Sequence, residues 1–241
     1  MKYRIALVEY LNTIPFSEGL RLSGLDQQMD VLPVSPAECA SLFKEGKVDI
    51  SLCPVGALED MPPYEVCGDF CIGADGDVET VVLLSHVPIH KIEKVRLDKN
   101  SRTSNKLVQI LADRYWQTNW KYYFDENEKQ PLSCVMIGDK VFEQKKQYPY
   151  RNDLAGEWKA MTGLPMVFAV WIVRPGIPNE VIQEMDMAFK LGIDFVRSPE
   201  SVIPEWQKKY LLNNISYGLD LRKREGMQLF LQYADNLVTI G

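Results

Sequence analysis

Thr162–Arg174 reads TGLPMVFAVWIVR, and the nine residues from Pro165 to Val173 are apolar on both alternating faces. A strand with that pattern is covered on two sides. Just upstream, Asp153–Met161 has the spacing of a short amphipathic helix; Gly163 can close it, Pro165 stops it from continuing, and Arg174-Pro175-Gly176 ends the extended run. Nine apolar residues fall well short of the roughly twenty that a membrane-spanning helix needs. A second β-branched run, Thr80–Ser85 (TVVLLS), is its upstream counterpart. We read the two as strands crossing side by side between two lobes: lobe 1 at 1–85 plus 175–241, lobe 2 at 86–174, crossings near 80–85 and 165–173. Two lobes imply a cleft, and clefts between domains are where small ligands bind. Two ordinary core strands of a single α/β domain form the plainer alternative.

Outward from these strands, Tyr3–Val8 is a buried strand, a helix opens near Thr13 with Pro15 in its first turn, and Met29–Pro33 is a second strand. Ser35-Pro36-Ala37-Glu38 is a capping box with proline at the first helical position, and Val48–Cys53 is a third strand. This βαβαβ order predicts a parallel sheet with packed helices. Beyond a linker containing Pro88 and both histidines, Lys94–Leu97 is a strand, and Asn100–Ser104 caps a helix reaching about Thr118. Lys121–Phe124 and Ser133–Ile137 are further strands. Asn179–Val196 is an amphipathic helix, and the terminal helices are expected to return to lobe 1.

With 46% hydrophobic residues in 241, the chain has a large core to bury. A net charge of -6 without a basic cluster argues against nucleic acid and anionic membranes as partners, so an anionic ligand must be held by a few placed donors. Five cysteines without a CxxC pair, beside only two histidines, do not describe a zinc site. Gly68 and Gly73 place Cys67 and Cys71 in a loop, as small apolar fillers. Free cysteines fit a reducing compartment. MKYRIALVEYL reads as a first strand rather than a signal peptide, because Glu9 interrupts the apolar run, and the expected location is cytoplasmic.

Three helix starts are candidate anion sites, since free N–H groups and the macrodipole favour carboxylates there. Ser101-Arg102-Thr103-Ser104 joins hydroxyls and a guanidinium at one such start; Asn12-Thr13 follows the first strand; Ile137-Gly138-Asp139 ends another. Plain capping is the alternative at each. No nucleophile elbow, HExxH, phosphate loop or dinucleotide fingerprint is present. His86 and His90, flanking Pro88, read as surface or hinge residues. The Asp153/Glu157 pair reads as a solvated helix face.

LNTIPF after the first strand, SPAECASLFKEGKVDISLCPVGALED, IGADGDVETVVLLS, LDKNSRTS, IGDK and DLAGEWKAMTGLPMVFAVW follow one another in the order found in the chorismate dehydratases of the futalosine route to menaquinone. The chain resembles that family over nearly its whole length. The resemblance implies an α/β, two-lobed fold like the type 2 periplasmic binding proteins, with a ligand cleft between the lobes. It also implies conversion of chorismate to 3-[(1-carboxyvinyl)oxy]benzoate and water, with no metal or organic cofactor. The family's motif asparagine falls on Asn12 and its site serine on Thr80, giving these two the catalytic roles; threonine keeps the hydroxyl but adds a methyl group. Ser101, Arg102, Thr103, Ser104, Gly138 and Asp139 match the substrate-binding positions, and Thr103 is expected to lend its hydroxyl to a substrate carboxylate. Two other readings stand beside this one. A cytoplasmic protein could bind a small carboxylate without catalysis, and the sister dihydroxynaphthoate synthase would want a histidine base in the cleft.

Overall fold

A computed structural model describes residues 2–125 and 127–237. Its elements in chain order are β1 (Arg4–Val8), α1 (Ile14–Ser23), α2 (Leu25–Gln28), β2 (Asp30–Val34), α3 (Pro36–Lys44), β3 (Ile50–Pro54), β4 (Glu65–Ala74) and β5 (Val81–Ser85). Next come β6 (Lys94–Arg96), α4 (Arg102–Arg114), β7 (Lys121–Tyr123), β8 (Ser133–Ile137), α5 (Val141–Gln144), β9 (Tyr150–Asp153) and α6 (Leu154–Thr162). β10 (Met166–Val173), α7 (Asn179–Arg197), α8 (Glu205–Asn213), β11 (Ser216–Gly218) and α9 (Leu221–Ala234) complete the series.

These strands build two sheets. One has the order β11-β4-β10-β3-β1-β2 and the other β7-β6-β8-β5-β9. β1 runs parallel to β2 and β3, whereas β10 is antiparallel to both β3 and β4. The first sheet therefore draws its strands from both ends of the chain. Local signals behave as their chemistry demands: Ser35 and Glu38 close the capping box of α3, Gly163 ends α6 at φ 76°, and Asp153 caps α6 by accepting from Ala155 and Gly156 N–H.

The expected pair of crossing strands is not formed. β5 pairs with β8 and β9 in the second sheet, while β10 pairs with β3 and β4 in the first. The segments that pass between the sheets are 75–80 and 163–165, so the expected allocation of the two strands is reversed: 81–85 belongs with the strands after it and 166–173 with those before 75. Burial on both faces cannot tell one sheet from another. For β5 its origin is now visible, since Val81 and Leu83 join the main core while Val82 and Leu84 join a separate cluster with Cys134, Met136, Val141 and Tyr148.

The loop expected around Cys67 and Cys71 is also overturned, because both lie in the ten-residue β4. Gly68, at φ 71°, sits where the register against β10 shifts between Val170 and Ile172, so this glycine marks an irregularity within a strand rather than the end of one. All five cysteines are buried and unpaired.

α1 and α7 pack across the first sheet at very close range. A Cβ on Gly192 would stand 1.8 Å from Pro15 O, and one on Gly19 2.0 Å from Ala188 O. Beneath them Trp171 stacks on Phe189 at 4.8 Å, with Phe16 edge-on at 5.7 Å to Trp171. Phe16 thereby ties α1 to Trp171 of β10 and Phe189 of α7. Gly192→Ala is expected to force the helices apart and lower the unfolding free energy by about 1–3 kcal/mol, the range for overpacking, read from urea denaturation.

Candidate functional site

Between the sheets lies a cleft of about 550 Å³ counting its open mouth. Val8, Leu52, Ile72, Val78 and Phe168 give the cleft apolar walls. Asn12, Thr80, Ser101, Thr103, Ser104 and Gly138, all singled out by sequence, line it together. Arg102 and Asp139 do not.

Asn12 lies in a 3-10 turn, Leu11–Thr13, that leaves the end of β1. The turn is held on three sides. Thr13 Oγ1 lies 2.5 Å from Val8 O and 2.8 Å from Tyr10 O, the Asp139 carboxylate accepts Leu11 N–H at 3.1 and 3.2 Å, and Tyr217 Oη donates to Asn12 O at 3.0 Å. Asn12 is no helix cap, since α1 is preceded by Thr13 and has no side-chain cap bond. Its Oδ1 is instead buried without a hydrogen-bond partner among the described residues. Buried acceptors of that kind are uncommon and ask for an explanation.

Thr80 follows Glu79, whose φ of 65° is unusual for a residue other than glycine. The Asp153 carboxylate accepts Val78 and Glu79 N–H at 3.1 and 2.6 Å, which fastens this bend to the start of α6. Asp153 is therefore a structural clamp, not the solvated helix carboxylate expected from its spacing. Thr80 O accepts Gly138 N–H at 2.9 Å, and Thr80 Oγ1 lies 2.7 Å from Tyr210 Oη.

α4 brings its first turn to the cleft. Ser101 Oγ accepts Ser104 N–H at 3.2 Å, capping the helix, and donates to Ser104 Oγ at 2.7 Å. The Ser104 proton is then left for an acceptor in the cleft. Thr103 departs from expectation: its hydroxyl donates to Phe168 O and accepts Gly56 N–H, both at 3.0 Å, so its proton is not available to a substrate carboxylate. Arg102 departs further, because its guanidinium pairs with Asp60 at 2.5 Å on the outer surface. Helical geometry accounts for this, since residue 102 is turned about 100° from 103 and faces the neighbouring 3-10 turn Val55–Asp60.

Gly138 has φ 74°, and a Cβ there would meet the Tyr10 ring at 3.0–3.2 Å. It lets that ring lie flat against the cleft wall. Asp139, expected to contact substrate, acts instead on the backbone of the turn that carries Asn12. Partial burial raises its pKa, with the Leu11 N–H pulling the other way. Burial likewise pushes the Tyr10 phenol up to about 12, aided by the charges of Asp98 and Asp139.

Sequence reasoning missed Tyr10, Phe168, Tyr210 and Tyr217. Tyr10 adjoins the LNTIPF motif, but the other tyrosines reach the site from α8 and β11, and nothing local marks them. The histidines lie exposed in the linker after β5, where His86 stacks on Tyr148 at 4.5 Å, away from the cleft.

Two sheets facing each other across a ligand-sized cleft define the two-lobed fold of the periplasmic binding proteins. Solved structures bear this out. Protein AF1704 from Archaeoglobus fulgidus is similar at a TM-score of 0.73 and 12% identity, with 97% of each chain covered. The CA3427 gene product of Candida albicans, described as having the generic periplasmic binding protein fold, gives 0.67 at 9% identity over 100% of this chain and 92% of that one. The alkanesulfonate-binding protein SsuA from Xanthomonas axonopodis pv. citri, bound to MOPS, gives 0.66 at 12%, over 99% and 94%. The chain belongs to the menaquinone biosynthesis family, whose model matches residues 3–236.

The Thr103 hydroxyl bonds to two backbone groups, so Thr103→Val is expected to act on stability before ligand affinity. Leaving Gly56 N–H and Phe168 O unpaired should cost about 2 kcal/mol or more. Urea denaturation beside ligand calorimetry checks this; a weakened ligand with unchanged stability would return Thr103 to the binding set.

Proposed function

We propose that the protein is a chorismate dehydratase, forming 3-[(1-carboxyvinyl)oxy]benzoate and water for menaquinone synthesis in the cytoplasm. The observation that carries this reading is the Asn12 amide, whose NH2 can donate to a carboxylate and whose buried Oδ1, unpartnered among the described residues, stands open to a donor such as the substrate hydroxyl, in the same cleft as the Thr80 hydroxyl within a chain of the menaquinone biosynthesis family. Both groups orient and stabilise without gaining or losing a proton.

The chemistry asks for little more. In chorismate the proton on the ring carbon bearing the enolpyruvyl ether is vinylogous to the ring carboxylate, so its removal gives a delocalised carbanion. The substrate's own enolpyruvyl carboxylate takes that proton. The carbanion's electron pair then closes the aromatic ring as the C–O bond to the neighbouring hydroxyl breaks; the hydroxide leaves with the transferred proton as water. Charge is conserved, and aromatisation drives the step. Asn12 and Thr80 orient the enolpyruvyl carboxylate, while the start of α4 with the Ser104 hydroxyl receives the ring carboxylate. Phe168 and the aliphatic walls keep water away, which strengthens these contacts.

Neither alternative accounts for the cleft as well. A dihydroxynaphthoate synthase would want a histidine in it, and both histidines lie outside. The likeness to a sulfonate-binding protein favours ligand binding without chemistry as the second reading. Incubation with chorismate separates the two: the account predicts the product's aromatic absorbance, and a protein that binds chorismate and releases it unchanged would be a binding protein. Asn12→Ala is expected to lower turnover by roughly 10²-fold, the scale for one preorganised donor, with a much smaller change in product affinity. Near-normal turnover in that variant would remove Asn12 from the chemistry.

A further inference from the structure

We propose that Tyr210 is a positioning residue for Thr80: its phenol donates to the Thr80 hydroxyl and so turns that hydroxyl's own proton into the cleft. The inference rests on the role given to Thr80 above. The two oxygens lie 2.7 Å apart, and either has the chemistry to donate. Their other partners decide the direction. Among the described residues no other group accepts from Tyr210 Oη, and a buried phenol O–H finds an acceptor. If Thr80 donated, the phenol proton would be left buried and unpaired, at the full desolvation cost of a lost bond. With Tyr210 donating, both oxygens are served and the Thr80 proton is left for the ligand.

The ring is held so that the bond cannot wander. Phe142 of α5 meets Tyr210 edge-on at 5.2 Å and 89°, and Trp206, one turn earlier on α8, meets the same Phe142 at 5.4 Å and 78°. Burial keeps the phenol protonated, pushing its pKa well above the usual tyrosine value although the Thr80 bond works against that shift. A hydroxyl that already accepts one hydrogen bond is also a stronger donor in the next, because bonds in a chain polarise one another. α8 thus acts on the reacting end of the cleft without touching the ligand.

A double-mutant cycle of Tyr210→Phe and Thr80→Val tests this, because phenylalanine keeps the ring packing and removes only the hydroxyl. Tyr210→Phe is expected to lower kcat about tenfold, the factor one neutral hydrogen bond supplies, with KM little changed. In the Thr80→Val background it should cost nothing further. Equal losses in both backgrounds, or a change in KM alone, would overturn the proposal. A second readout does not depend on the substrate. In wild-type protein labelled at tyrosine Cζ, the Tyr210 hydroxyl proton should exchange slowly and show a nuclear Overhauser effect to the Thr80 methyl group; rapid exchange would overturn the donor direction. A wild type that leaves chorismate unchanged would refute the reaction and leave this readout to decide the relay.

Discussion

The hydroxyl of Thr103 joins the two halves of the molecule at the floor of the cleft. It stands at the start of α4, in the half built on the second sheet, and bonds to Gly56 N–H and Phe168 O in the half built on the first. Without it, two backbone groups of the first half would face a buried interface with nothing to bond to. Other cross-links stand beside it. Asp139 reaches back to Leu11 N–H, and Tyr210 reaches over to Thr80. Each ends on a residue of the cleft or on the turn that carries one, so bringing the halves together and assembling the site are one event.

Such an arrangement suits a dianionic ligand in a protein of net charge -6. Among the described residues no cationic side chain lines the cleft; its donors are helix-start N–H groups, hydroxyls and an amide. In an apolar slot these preorganised dipoles are stronger than in water and need no reorganisation as charge moves. Arg102, the one guanidinium in the SRTS motif, pairs with Asp60 outside the slot, where solvent screens the pair and leaves it of small energetic weight.

Much of the local structure was legible because its causes are local. The capping box at Ser35–Glu38, the serine cap of α4 and the Gly163 stop each depend on residues within one helical turn, and the structure forms all three. The allocation of β5 and β10 was not legible. Both are covered on two faces, and their pairing is settled by where the chain passes between sheets, a property of 75–80 and 163–165 rather than of the strands. Of the residues lining the cleft, Asn12 and Ser104 were marked by a strand end and a helix start, and Thr80 by the family resemblance. Tyr210 and Tyr217 were not, because their partners lie 130 and 205 residues away and a tyrosine on a late helix or a short strand looks like any other core residue. Asp139 was found but given the wrong partner: spacing marks a carboxylate at a strand end, yet only the fold shows that it faces a backbone N–H of the other half.

The central claim, that one cleft orients two carboxylates from opposite halves, is tested most directly by a crystal structure of the complex with 3-[(1-carboxyvinyl)oxy]benzoate. The account predicts the enolpyruvyl carboxylate against the Asn12 amide and the Thr80 hydroxyl, with the benzoate carboxylate at the start of α4 beside Ser104. A product seated outside this cleft, or with its carboxylate on the Arg102 guanidinium at the surface, would contradict it.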